Sequence, residues 1–174
     1  DGAAFGASSE KATELIGFLQ RAAGYSLTGS TREDCLFLLY GLGRNGKSVF
    51  INTLRSLLGE YAKVAQMETF ILKHQETIRN DLADLHSVRF VCASEAGEGK
   101  LFSEGLLKQM TGGDSIKARF LRQEYFEFQP QFKLWLAFNH KPGVRGTDNA
   151  IWERIFLIPF EVYIPEKDRD RQLS

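Results

Sequence analysis

The amino-acid sequence predicts an α/β domain with a mainly parallel central sheet flanked by helices and carrying an inserted β-hairpin. Three observations support this. Short apolar runs, "CLFLLY", "RFVCAS" and "FKLWLAF", have the look of strands buried on both faces, and segments of helical periodicity separate them. The first run passes through a glycine-rich turn directly into the amphipathic segment "KSVFINTLRSLLG". "SIKARFLRQEYFEFQP" alternates its side chains about a polar centre at Leu121 to Glu124, which is a hairpin pattern.

In chain order, "SEKATELIGFLQRAAGYSLTG" sets Leu15, Ile16, Phe18 and Leu19 near helical spacing, with Ser9 as cap and Gly24 as stop. Residues 1–30 therefore read as a helical lead-in, part of a larger N-terminal region. A buried strand is expected at Cys35 to Tyr40, and the helix after the glycine turn should end at Gly59. The middle carries little pattern until a second strand at Val88 to Ala93, followed by Glu95. "FSEGLLKQMTGGD" reads as a helix broken by Gly112 and Gly113, and after the hairpin "FKLWLAF" and "RIFLIPF" supply the last two strands. Residues 31–174 form the expected core. The charged ending "EKDRDRQLS" does not read as a last packed element, so the core is expected to be cut short there and the chain to be an excised fragment.

Composition narrows the function classes. With 174 residues and 43% hydrophobic content, one domain with a real core is expected. No apolar run approaches the roughly 20 residues of a membrane span, and "DGAAFGASSE" has no signal-peptide pattern, so a cytoplasmic, membrane-free protein is expected. Formal net charge is +0, which removes any argument from a globally basic surface; contact with nucleic acid must be local. Cys35 and Cys92 lie beside apolar residues in predicted strands and read as reduced core thiols.

The chemistry begins at "GLGRNGKS", Gly41 to Ser48, which satisfies GxxxxGK[ST] between a strand and a helix. Gly41, Gly43, Asn45 and Gly46 let backbone N–H groups converge on a phosphate, and the helix that opens at Lys47, Ser48 and Val49 adds its dipole. Lys47 is expected to reach the β- and γ-phosphates of ATP, and Ser48 to hold Mg2+. Ligands of such sheets bind at the carboxyl ends of the strands. Glu95 follows one strand there, as an acid for magnesium or for the attacking water, and Glu98 follows in a glycine-rich turn. Asn139 follows "FKLWLAF", where an amide can bond both the γ-phosphate and the water. Arg154, before the last strand, is a candidate arginine finger.

The run "LIGFLQRAAGYSLTGSTREDCLFLLYGLGRNGKSVF", with "VRFVCASEAGEG", "LLKQMTGGDSIKARF" and "FKLWLAFNHKPGVRGTDNAIWERIFLIPF", resembles the superfamily three helicase domain of phage and plasmid primases over nearly the whole chain. The resemblance implies an AAA+-like P-loop ATPase that assembles into a ring, usually a hexamer, and translocates on single-stranded DNA beside a primase module. By motif it makes Gly41 to Ser48 the Walker A loop and sets Glu95 in the Walker B segment. Asn139 matches the sensor asparagine, Arg154 the arginine finger, and Lys108 a basic position facing the adjacent subunit's nucleotide. The hairpin matches the segment that grips DNA in the channel, with Arg122 leading and Lys117 and Arg119 supporting; Phe120, Tyr125, Phe126 and Phe128 read rather as hairpin packing. One departure stands out: relatives from small DNA viruses often carry adjacent acids where Glu95 is followed by Ala96, which leaves Glu98 or Asp114 as partners for Glu95.

Two other readings fit parts of the pattern. One is a DNA-stimulated ATPase that acts as an initiator or remodelling module without processive unwinding. The other is a small-molecule phosphotransferase, which would need an acceptor pocket and a lid where this chain has a hairpin.

Overall fold

The computed structural model describes residues 2–72, 80–94, 101–139 and 149–173. Helix α1 (Gly2–Ser26) leads into strand β1 (Leu36–Tyr40), helix α2 (Lys47–Leu58) and strand β2 (Ala62–Val64). A short helix α3 (Asn80–Ala83), strand β3 (Phe90–Ser94) and helix α4 (Glu104–Thr111) follow. The antiparallel pair β4 (Ile116–Ala118) and β5 (Phe126–Phe128) precedes strand β6 (Lys133–Phe138), the short helix α5 (Asn149–Trp152) and strand β7 (Ile155–Pro159).

The central sheet has the order β2-β3-β6-β1-β7, and every pairing in it is parallel. This is the α/β architecture expected, with the hairpin as a separate two-stranded sheet. Successive side chains of a strand point to opposite faces, and the core divides accordingly. Leu36, Leu38, Val91, Leu134 and Leu136 pack on one side with Leu107, Met110 and the hairpin's Ile116. Phe37, Leu39, Cys92 and Trp135 pack on the other, under Ala22 of α1 and Ile51, Leu54 and Leu58 of α2. Both cysteines are buried free thiols, and burial raises their pKa values, Cys35 to about 11.

Several boundaries differ from the sequence reading. Helix α1 neither begins at a Ser9 cap nor stops at Gly24 but runs from Gly2 to Ser26. Its end is set by packing. Ser26 is buried, donates to the Ala22 carbonyl at 2.9 Å and accepts the Trp135 indole N–H at 3.0 Å. Strand β3 starts at Phe90 rather than Val88 and reaches Ser94. Strand β2, only three residues long, had no readable pattern.

The sequence also gave no sign of a buried cation. Lys133 opens β6 with 1% exposure, yet its Nζ donates to the carbonyls of Thr28 at 2.5 Å and Ser30 at 2.8 Å and lies 4.3 Å from the Tyr25 ring centre. Arg89 adds a bond to the Leu27 carbonyl at 2.7 Å. The chain between α1 and β1 is thus tied to the amino edge of the sheet by charged groups, and burial pulls the Lys133 pKa down to about 8.

Candidate functional site

Between β1 and α2 the backbone must reverse sharply, and the glycines permit it. Gly46 takes φ +88° and Gly41 φ +148°. A Cβ on Gly41 would stand 2.0 Å from the Phe160 carbonyl oxygen, so the segment after β7 closes directly over the loop. Asn45 secures this approach: its Nδ2 donates to Leu42 at 2.6 Å and to Phe160 at 2.5 Å, both backbone carbonyls. The Ile164 N–H donates to the Arg44 carbonyl at 2.9 Å, and Arg44 reaches the Tyr163 hydroxyl at 3.4 Å. Asn45, expected only as a phosphate contact, therefore also holds the loop to the chain's C-terminal segment.

Lys47 is buried, and its Nζ donates to the Gly41 carbonyl and to Asn45 Oδ1. Burial lowers its pKa. Among the described residues no anionic side chain is bonded to this ammonium, and α2 carries neither a side-chain cap on Gly46 nor an acid in its first turn. The first bond of the helix runs from the Phe50 N–H to the Gly46 carbonyl at 2.9 Å. A helix N-terminus of this kind, with a lysine folded over it, fits a polyphosphate. Gly43 and Ser48 are exposed at the same turn, with Val49 half-buried. A hard divalent cation takes oxygen ligands and keeps much of its water, so Ser48 suits one ligand position. Among the described residues no group of three His, Cys, Asp or Glu side chains forms a metal cluster. Glu95 and Glu98 lie outside the described residues.

Asn139 follows Phe138, which is in register with Tyr40 and whose carbonyl accepts the Gly41 N–H at 3.3 Å. The sheet thus brings Asn139, Gly41 and Lys47 together at its carboxyl edge. Ser94 of β3, paired with Ala137, ends at the same edge.

Arg154 does not join them. Its carbonyl accepts the Leu36 N–H at 2.8 Å, which sets it at the amino edge, about 16 Å of strand from Gly41 at ~3.3 Å per residue. It cannot reach the Gly41–Ser48 loop of its own chain. Its Nη1 donates to the Ala150 carbonyl at 2.7 Å, and its Nη2 lies 3.6 Å from Asp34. Lys108 is half-buried on α4, and that helix ends against the same turn: a Cβ on Gly112 would lie 4.0 Å from Asp34 Oδ1.

In the hairpin, Ile116 and Ala118 are buried and Lys117 is exposed between them. Residues 121–125 are exposed, and Arg122 turns the tip with φ +63°. The aromatics divide into two groups. Phe120 stacks on Phe126, Phe126 lies tilted against Phe128, and His86 is edge-on to the last two, so these are packing residues. Tyr125 is exposed, with Arg119 4.6 Å and Lys117 5.1 Å from its ring centre. The alternating pattern groups Tyr125 with the packing residues, and its exposure sets it apart from them.

Residues 39–154 match the family described as DUF5906, "Family of unknown function". The chain is 33% identical over 136 residues to "Putative helicase L207/L206" of Acanthamoeba polyphaga mimivirus, covering 77% of this chain and 14% of that protein. It is 31% identical to "Putative helicase 022R" of Frog virus 3 (isolate Goorha), covering 83% of this chain and 15% of that protein. The chain therefore spans about a seventh of the length of these relatives. The apo structure of the NrS-1 C-terminal region superposes with a TM-score of 0.57 at 14% identity, covering 75% of this chain and 30% of that one, and so shares the fold.

Proposed function

The chain belongs to the DUF5906 family, and from that premise we propose that it is the ATP-hydrolysing motor domain of a DNA helicase of the phage and plasmid primase-helicase kind. The observation that carries the proposal is the phosphate-ready loop at the carboxyl edge: a buried Lys47 over an uncapped helix N-terminus, with Asn139 one strand away. The names of the viral relatives favour a helicase over other P-loop enzymes.

In this reading Lys47 and the N–H groups of the loop from Leu42 to Val49 bind the phosphates of ATP and disperse the charge that builds on them. Mg2+, held by Ser48 and by an acid such as Glu95, would neutralise further phosphate charge. Asn139 orients the attacking water. Arg154 and Lys108, at the edge away from the loop, serve the nucleotide of a neighbouring copy in a ring, expected to be a hexamer. The hairpin, through Arg122, Lys117 and Arg119, holds the backbone of single-stranded DNA without reading its sequence.

The test is steady-state ATP hydrolysis, with and without single-stranded DNA, for the protein and its Lys47→Ala variant, followed by strand displacement on a fork. Stimulation by DNA that disappears with Lys47→Ala is expected, together with displacement. Stimulated hydrolysis without displacement would favour the remodelling ATPase, and undiminished hydrolysis in Lys47→Ala would overturn the site.

A further inference from the structure

Resting on the reading of Arg154 as a residue that serves a neighbour's nucleotide, we propose that Asp34 is its positioning residue. Asp34 fixes the guanidinium at the amino edge of the sheet so that it meets a triphosphate on a second copy of the chain.

A long, flexible arginine at a subunit edge would spend most of its time in unproductive rotamers, and ordering it costs side-chain entropy. Here two groups share that ordering. Helix α5 supplies the Ala150 carbonyl to Nη1 at 2.7 Å, and the turn before β1 supplies the Asp34 carboxylate, 3.6 Å from Nη2. The turn is itself built for this. Asp34 adopts φ +47°, and its N–H closes onto the Thr31 carbonyl at 3.0 Å. Two residues later, the Leu36 N–H bonds the carbonyl of Arg154 at 2.8 Å, so carboxylate and guanidinium are held by the same end of the β1–β7 pairing.

The pairing also leaves the guanidinium incompletely used. At 3.6 Å the ion pair is longer than a charge-assisted hydrogen bond, and Arg154 keeps 22% side-chain exposure against 49% for Asp34. Among the described residues the buried Nε–H has no acceptor. A guanidinium carries five N–H donors; among the described residues its Nη1 and Nη2 meet one carbonyl and one loose carboxylate, and the exposed part of the group is open to a further multi-oxygen anion. A phosphate group of a neighbouring nucleotide has that chemistry, and this chain's own phosphate loop is at the far edge of the sheet.

The experiment is a double-mutant cycle on ATP turnover, run at a protein concentration where turnover per chain has reached its plateau, with Asp34→Asn, Asp34→Glu, Arg154→Ala and the Asp34→Asn/Arg154→Ala pair. Melting curves check that each variant is folded. Misplacing a group that acts on the transferring phosphate costs on the order of tenfold or more, so Asp34→Asn should lower kcat by about tenfold and leave the KM for ATP within about twofold. Asp34→Glu should recover most of the loss. In the Arg154→Ala background Asp34→Asn should cost nothing further, because a residue acting only through Arg154 has nothing left to position. An equal loss in both backgrounds would assign Asp34 to general fold integrity and overturn the proposal. So would a rise in turnover, which would mean that the carboxylate competes with the phosphate. Low turnover in Arg154→Ala beside wild-type turnover in Asp34→Asn removes this proposal alone. Wild-type turnover in Arg154→Ala removes the reading of Arg154 together with it.

Discussion

Gly41 is where one missing side chain matters most. Its φ of +148° and the 2.0 Å approach of the Phe160 oxygen to a hypothetical Cβ leave no room for alanine without moving backbone. Gly41→Ala should cost about 2 to 4 kcal/mol of stability, read by denaturant unfolding, and should abolish nucleotide binding. Lys133 gives a prediction in pH. Its folded pKa of about 8 lies below the ordinary 10.5, so between those values the unfolded chain binds more protons and stability rises with pH. Burial's penalty on the charge is present in full below about pH 8 and is relieved as pH rises toward 10.5. Lys133→Met leaves the Thr28 and Ser30 carbonyls without their donor and should destabilise by about 1 to 3 kcal/mol. The wild-type advantage should then grow from pH 8 to 10.5, measured by urea unfolding at each pH. An advantage that shrank over that window would remove Lys133 as its source.

At the scale of elements, α1 and the hairpin make opposite demands. Helix α1 is docked by its C-terminal turn, where buried Ser26 takes the Trp135 indole N–H at 3.0 Å. Ser26→Ala would strand that donor in the core and should lower stability by about 1 to 3 kcal/mol, with α1 amides losing hydrogen-exchange protection first. The hairpin is rooted in the core through Ile116, Ala118 and Phe128 and presents its cations outward. Arg122→Ala should therefore leave stability within about 0.5 kcal/mol. It should also weaken single-stranded DNA binding uniformly across sequences and flatten the salt dependence by about one unit of slope. Unchanged affinity and slope would remove the hairpin from the DNA-binding reading.

For the whole molecule, the parallel sheet separates two chemistries. The Gly41–Ser48 loop and Asn139 stand at its carboxyl edge, and Arg154 stands at the other with the end of α4 beside it. A site completed by Arg154 must then draw on two chains. Turnover per chain should rise with protein concentration and level off, and mixing in Arg154→Ala chains should lower activity by more than their share. Flat turnover per chain across dilution, with sedimentation showing assembly, would count against a shared site.

What the sequence determined by itself is what lies within a few consecutive residues. The glycine turn and its Lys-Ser pair are contiguous, so the pattern on which the phosphate-binding proposal rests is legible locally. Period-two and period-3.6 patterns reveal strands and helices because each element carries its own buried face. The hairpin was legible for the same reason. What only the tertiary structure decided depends on residues far apart in the chain. Asn45 meets Phe160, Lys133 meets Thr28, and Arg154 meets Asp34, each across more than a hundred positions. No local pattern marks such a lysine as buried or such an arginine as held, since the partners are set by the order in which the strands assemble. Strand β2 escaped notice because three residues make too short a pattern, and α1 outran its expected stop because docking against Trp135 outweighs the weak preference of one glycine.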